Sequence, residues 1–333
     1  MNALVTGGGG FLGLEIVRRL RARGDTVTVL ARGDYPEVGA LGARLVRGDV
    51  GDAAVVHAAA EGADLVFHVA AKAGVWGARA DYERSNVTGT ENVIAACRAH
   101  GVHRLVYTSS PSVVFDGRDH VNATEVPYPA AYEAFYPETK ARAERLVLAA
   151  NSESLTTVAL RPHLIWGPRD PHLFPRVLAR GRAGKLRIVG DGANSVSMTY
   201  VDNGAAAHIQ AADALRFGAA CAGRAYFVND PAPVALWPWV NGLFDRLGIP
   251  PVTRKVPVGV ARTVGAAAEA AWTLFGLAGE PPMTRFVAAQ LGTSHTYDVG
   301  PAARDFGYTP EVDAAEAFER TVAWWKDHLP APG

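Results

Sequence analysis

A tyrosine and a lysine stand four residues apart in Tyr136-Pro137-Glu138-Thr139-Lys140. On a helix that spacing brings both side chains to one face. An ammonium beside a phenol favours the phenolate and lowers its pKa toward the working range, so the pair could serve general acid–base catalysis. The same five residues could also simply open a surface helix. The stretch Tyr107-Thr108-Ser109-Ser110 weakens that plainer reading. It ends an apolar run that reads as a buried strand, and the carboxyl edge of a parallel sheet is where ligand-facing groups gather. A serine hydroxyl there can hydrogen-bond a substrate carbonyl oxygen. Ser109, Ser110 and Ser112 compete for that role.

A second constellation suits a dinucleotide. Thr6-Gly7-Gly8-Gly9-Gly10-Phe11-Leu12-Gly13 holds G-x-x-G-x-x-G between an apolar run and an amphipathic stretch. Glycine is needed where the chain turns tightly, where backbone nears a pyrophosphate and where helix meets strand. The helix that follows offers free N–H groups and a positive dipole end. An acidic residue for the adenosine ribose is expected about 20 residues on. Here the strand ends Val29-Leu30-Ala31-Arg32, with no carboxylate before Asp34. An arginine can receive a 2′-phosphate, which predicts NADPH/NADP+ over NADH/NAD+; a solvated arginine at a strand end is the alternative. Asp49-Val50, after the third strand, suits an adenine edge, although such aspartates also begin helices.

These groups need a scaffold, and the first half of the chain alternates strand and helix. Apolar runs at 3–6, 26–30, 45–46, 65–69, 105–108 and 157–160 read as strands. Helical patterns fall at 11–23, 52–60, 90–99 and 137–149. Alternation of this kind implies crossover connections and a Rossmann-type, doubly wound parallel α/β sheet covered on both faces. Beyond Arg161-Pro162, prolines and glycines multiply and the alternation breaks. Residues 1–166 are therefore expected to bind the cofactor, with returns near 196–210 and 224–230, and 167–333 to form mainly a smaller substrate-binding lobe.

Composition removes several classes. The 333 residues are 49% hydrophobic and 20% charged, which is globular, and 33 Lys+Arg offset 33 Asp+Glu. No net field draws the chain to nucleic acid. Two cysteines, Cys97 and Cys221, exclude a disulfide scaffold and fit a reducing compartment. The apolar run at the start meets glycines at once, unlike a secretory leader, so a cytoplasmic location is expected. Residues 256–278 are mostly apolar, yet Pro257, Arg262 and Glu269 interrupt them. A buried or lid helix is expected there rather than a membrane span, with peripheral membrane contact left open. The histidines, among them His100, His103, His163, His172 and His208, form no metal-ligand pattern, and no metal is expected.

At this point the residues resemble the extended short-chain dehydrogenase/reductases, over nearly the whole chain. The likeness rests on Thr6–Gly13, Asp49-Val50, His68-Val69-Ala70-Ala71, Asn86-Val87-Thr88-Gly89-Thr90, Thr108–Ser110, Tyr136–Lys140, Leu160-Arg161-Pro162, Gly167-Pro168 and Tyr200-Val201-Asp202-Asn203. It implies Tyr136 as general acid/base, Lys140 as its tuner and holder of the nicotinamide ribose, Ser110 as the group orienting the carbonyl, and Asn86 near the relay. It implies cofactor contacts from Gly7, Gly10, Phe11, Leu12, Gly13, Arg32, Asp49, Val50, Ala70, Ala71, Lys72 and Pro162, besides Tyr136 and Lys140. A homodimer through 90–99 and 137–149 is implied as well, although the apolar residues there could equally cover only the sheet.

Within that family the chain is most similar to the 3β-hydroxysteroid dehydrogenase-like branch. The run Phe67-His68-Val69-Ala70-Ala71-Lys72-Ala73-Gly74-Val75-Trp76-Gly77 resembles bacterial 2-alkyl-3-oxoalkanoate reductases of long-chain olefin and β-lactone synthesis. Those enzymes reduce the 3-oxo group of an α-branched β-keto acid with NADPH. By position, Lys72 and Trp76, in the loop after the fourth strand, could meet the carboxylate and chain of an apolar small molecule, with Ser112 a further contact. His163, just after Arg161-Pro162, could face the site or be a hydrogen-bonded structural histidine. Three readings compete. A 3β-hydroxysteroid dehydrogenase, with isomerase or decarboxylating activity, usually shows an aspartate where this chain has Ala31. A nucleotide-sugar epimerase or dehydratase typically carries Arg-Asp where this chain has Ser197-Met198-Thr199. A cofactor-binding sensor usually lacks the Tyr/Lys pair.

Overall fold

The computed structural model describes residues 1–329; the last four residues of the expected substrate lobe, 330–333, lie outside the described residues. The first strand, Asn2–Thr6, shows why the sheet is buried on both faces. Successive side chains point to opposite sides, and here Ala3 and Val5 enter one apolar cluster while Leu4 enters another. Seven strands form the main sheet, in the order Arg224–Val228, Thr156–Pro162, Arg104–Thr108, Leu65–His68, Asn2–Thr6, Thr26–Ala31, Arg44–Arg47. Every pairing is parallel. The helices Phe11–Ala22 and Val201–Ala214 cover one face through Ile16, Val17, Leu20, Ala205 and Ala211. Ala53–Ala60, Gly89–His100 and Phe135–Ala149 cover the other through Val56, Val93, Cys97 and Val147. Strand order reverses on either side of Asn2–Thr6, which opens a crevice at its carboxyl end.

Two helices begin earlier than the apolar periodicity indicates. The one expected at 90–99 continues from Arg79–Tyr82 through a π turn, Glu83–Thr88, into Gly89–His100. Asn, Thr and Gly are weak helix formers, so the pattern is hidden there. The extra residue of a π turn re-aims the side chains around it. The helix expected at 137–149 opens at Phe135, which places Tyr136 in its first turn.

Beyond Pro162 a second core forms around Trp166, Phe174, Trp237, Leu243, Phe244 and Trp325. A small sheet runs Val234–Ala235, Ser195–Val196, His295–Tyr297, His120–Ala123 and ties this lobe back to the first half. The expectation of a buried helix within 256–278 needs correction. Val258–Phe275 is helical, but only Ala261, Gly265 and Glu269 are buried, while Val260, Val264, Leu274 and Phe275 are exposed. The helix is apolar on nearly every side, yet only its buried stripe is covered, chiefly by Arg285–Gly292, with Ala261 also packing against Val189. A Cβ on Gly265 would stand 2.7 Å from the Thr284 carbonyl carbon, and Glu269 is buried because it takes the Arg285 side chain at 2.7 Å. Among the described residues, no helix is long and apolar enough to cross a membrane.

Candidate active site

The glycine loop is shaped by two close approaches. Gly7 has φ +71°, and a Cβ there would lie 2.8 Å from the Ala70 backbone. A Cβ on Gly13 would run into the Gly7 carbonyl oxygen. Gly10 caps the helix without a side chain, so none competes for the first-turn amides of Phe11, Leu12 and Gly13. Narrow backbone plus open amides at a helix N-terminus suits a pyrophosphate, and these residues fit a dinucleotide.

A buried polar chain fixes the floor of this loop. The Thr6 hydroxyl accepts from the Ala70 amide at 3.2 Å and meets His68 Nδ1 at 2.8 Å. His68 Nε2 meets the Thr90 hydroxyl at 2.9 Å, and that hydroxyl donates to the Asn86 carbonyl at 2.7 Å. Burial pushes the His68 pKa down to about 3, with the Lys140 charge acting the same way. His68 is therefore a neutral strut.

One cleft of about 500 Å³ runs from Arg32 and the glycine loop to the strand ends. Gly7, Gly10, Phe11, Leu12, Gly13, Arg32, Asp49, Val50, Ala70, Ala71 and Pro162 all line it. Arg32 is exposed at its mouth and forms no ion pair among the described residues. Asp49 is partly engaged, accepting from the Gly51 amide at 2.8 Å and lying 3.4 Å from Arg84. Ser110, Ser112, Tyr136, Lys140 and His163 line the far end, together with Thr108 and Ser109.

Lys140 Nζ donates to the Thr108 carbonyl at 2.5 Å and lies 4.2 Å from the Tyr107 ring centre. Burial lowers its pKa to about 7, against the pull of Glu144. The Tyr136 phenol is pushed above its ordinary value by burial, opposed by the Ser110 hydroxyl. The rise comes from burial, opposed by Ser110 and with no part from Lys140, so the lowering of the Tyr136 pKa expected of that lysine is not seen here. Ser110 Oγ also accepts from the Ser112 amide at 3.2 Å and bonds the Ser112 hydroxyl at 3.0 Å. Among the three candidate serines, Ser110 is the one that bears on the phenol.

Three expected residues sit elsewhere. Lys72 does not line the cleft: its ammonium turns to Asp81 at 3.5 Å and to the Tyr82 ring at 5.2 Å. Trp76 is also outside the lining, its carbonyl taking the Tyr82 hydroxyl at 3.1 Å. Tyr82 holds both, its buried side chain donating its hydroxyl to the Trp76 carbonyl and taking the Lys72 ammonium over its ring. Asn86 is buried and reaches no cleft wall. It accepts from the Lys72 amide at 2.8 Å and donates to the Lys72 carbonyl at 3.2 Å and to Thr139 at 3.0 Å. It ties the loop after the fourth strand to the helix that carries Tyr136.

Other residues were not singled out by the sequence. Beneath Lys140, Glu144 accepts from Arg161 at 2.9 and 2.6 Å and from the Tyr128 hydroxyl at 2.6 Å. The Lys140–Glu144 spacing was a signal for Glu144, while Arg161 is distant in sequence. His163 meets His295 at 2.6 Å, and His295 Nε2 donates to the Gln290 carbonyl at 2.8 Å. Burial lowers the pKa of both rings. His163 is thus both part of the cleft wall and hydrogen-bonded structure. Val75, Leu164, Phe286 and Gln290 also line the cleft.

With this geometry in hand, comparison with known proteins gives a consistent picture. The 3-beta hydroxysteroid dehydrogenase/isomerase family matches residues 4–258. A 2-alkyl-3-oxoalkanoate reductase of Stenotrophomonas maltophilia is 52% identical over 327 residues, 97% of this chain and 99% of that one. A protein of the same name from Shewanella oneidensis is 48% identical, over 97% of this chain and 86% of its own. Among solved structures, MoeE5 in complex with UDP-glucuronic acid and NAD superposes with a TM-score of 0.75 at 26% identity, over 99% and 100% of the two chains.

Proposed function

The chain belongs to the 3-beta hydroxysteroid dehydrogenase/isomerase family, and from that premise we propose that it reduces the 3-oxo group of 2-alkyl-3-oxoalkanoic acids with NADPH. It is an oxidoreductase, a reductase that uses a nicotinamide cofactor. The observation that carries the finer reading is that one cleft holds both sets of residues: the glycine cradle and Arg32 lie at one end, and Ser110 and Tyr136 at the other. Near-identical length and 52% identity to a protein of that activity support the substrate class.

When bound, the cofactor supplies hydride to the carbonyl carbon. The chain then has three tasks. The Ser110 hydroxyl hydrogen-bonds the carbonyl oxygen and aims it at Tyr136. The Tyr136 hydroxyl donates its proton to that oxygen as charge develops, and the raised pKa of the buried phenol keeps the proton on it beforehand. Lys140, charged or neutral near pH 7, gains from the phenolate a reason to hold its proton, and so stabilises the product state. Asn86 and Thr139 hold the Tyr136 helix against the cofactor loop. Substrate contacts are assigned to Ser112, His163, Val75 and Phe286, and Lys72 and Trp76 are left out of them.

Arg32 beside Ala31 favours the phosphorylated cofactor. Residues 1–166, completed by 196–210 and 224–230, would hold it, and the rest of the described chain would enclose the substrate. A homodimer through Gly89–His100 and Phe135–Ala149 is part of the same reading. The testing experiment follows nicotinamide absorbance with NADP+ and a long-chain 2-alkyl-3-hydroxy acid, with a 3β-hydroxysteroid and NAD+ alongside. Turnover of the hydroxy acid with NADP+ is the expected outcome. Turnover of the steroid with NAD+ alone would replace both substrate and cofactor.

A further inference from the structure

Behind the catalytic end of the cleft lies a second cavity of about 100 Å³. It is walled by the helices Leu173–Arg182, Leu236–Arg246 and Arg285–Gly292, with Phe174, Val177, Trp239 and Leu243 among its apolar side chains. Leu164 and Gln290 belong to both walls, that of the cleft and that of the cavity. Leu164 holds φ +42°, a left-handed conformation that a leucine rarely adopts. Such strain persists only where the surroundings enforce it, and it gathers at ligand clamps. Gln290 is tethered to the cleft through its carbonyl, which takes His295, which in turn bonds His163.

We propose that this cavity receives the terminal segment of one alkyl branch of the substrate, which enters between Leu164 and Gln290. The inference rests on the reading of the cleft as the site of 3-oxoalkanoate reduction. Apolar cavities of comparable size stay dry and take up apolar groups. A sugar would leave its hydroxyls unpaired against this wall, and a fused ring system is too broad for the volume. A chain end is slim, apolar and already attached to the reacting carbons. The cavity then measures chain length, since each methylene kept out of apolar surroundings forfeits roughly a factor of four in binding.

The test is a Val177→Phe variant. Val177 is only part-buried, so the larger ring can grow into the cavity while its outer edge relaxes toward solvent. Oxidation is measured on 2-alkyl-3-hydroxy acids whose branches lengthen from methyl to decyl, with NADP+ binding and melting temperature as controls for folding. The variant should lose on the order of tenfold or more in kcat/KM on the longest substrates, the equivalent of two methylenes excluded, and keep its activity on the shortest. Equal loss at every length, or none, overturns the proposal and leaves the reductase reading standing. A second readout does not depend on turnover. ω-Bromododecanoic acid, a heavy-atom quencher, should dim the fluorescence of Trp237 and Trp239 in the native protein, and less so in Val177→Phe. If no 3-hydroxy acid is oxidised the reductase reading falls, and quenching alone decides: equal quenching in both proteins overturns the cavity's role.

Discussion

Arg161 grips both oxygens of Glu144, at 2.9 and 2.6 Å, with the carboxylate wholly shut off from solvent. The pair joins the strand Thr156–Pro162 to the helix that carries Tyr136 and Lys140. Removing one member of a buried pair leaves the other charged and unpaired, which costs about 3–5 kcal/mol. Arg161→Ala should therefore lower the free energy of unfolding by that amount in denaturant titrations, with the Tyr128 hydroxyl unable to compensate alone. Arginine and its partners hold the Glu144 pKa below the ordinary carboxylate value despite burial. A depressed carboxylate contributes stability that is present above its unfolded value and lost as pH falls through the folded one. Glu144→Gln should thus flatten the acid limb of the stability profile below about pH 4.5.

Lys140 makes the opposite contribution. Its folded pKa is about 7, against 10.5 for the free side chain. Between those values the unfolded chain binds the extra proton, so stability rises with pH across that window, by at most about 1.4 kcal/mol per unit. Melts at pH 7, 8 and 9 should show this slope in the cofactor-free protein and its absence in Lys140→Met. An identical slope in the variant would assign the titration to another group.

How much of this was readable beforehand depends on distance along the chain. The glycine loop and the Tyr136/Lys140 pair are local patterns, and sequence spacing alone locates them in the elements where they stand. The orientation of Lys72 is not local. It turns away from the cleft because Tyr82 and Asp81, from the next helix, offer it a ring and a carboxylate. The His163–His295 contact spans 132 residues and depends on the short strand His295–Tyr297, which no periodicity announces. The helix at Val258–Phe275 misleads for a compositional reason. Alanines and valines on every side look like a core helix, whereas burial depends on how much of each side is covered, and here only the stripe of Ala261, Gly265 and Glu269 is buried.

The cofactor preference is separable from the chemistry. Arg32 sits at the mouth of the cleft next to Ala31, without a carboxylate partner among the described residues. A charge-assisted hydrogen bond to a 2′-phosphate contributes about 1.5–3 kcal/mol, so Arg32→Asp should weaken NADPH binding by roughly 10- to 150-fold. NADH should bind as well as before or better, since an aspartate can take the ribose hydroxyls. Titration of protein fluorescence with each cofactor measures both constants. An unchanged ratio would leave Arg32 as a solvated side chain at a strand end.

The proton donor can be isolated in the same way. Tyr136→Phe removes one hydroxyl and keeps the ring that closes the cleft wall. The rate of hydride transfer should drop by about 10²–10⁴, the range for losing a general acid. Cofactor affinity should stay within a few fold, because the glycine loop, Arg32 and Lys140 are untouched. Ser110→Ala should lose less, since Ser112 stands 3.0 Å away and can offer a second hydroxyl to the carbonyl oxygen. In the double variant Ser110→Ala, Ser112→Ala that substitute is gone. If Ser110 and Ser112 cover for one another, the double variant should fall well below the product of the two single losses. A double variant no worse than Ser110→Ala alone would confine the carbonyl contact to Ser110 and leave Ser112 as its hydrogen-bonded support.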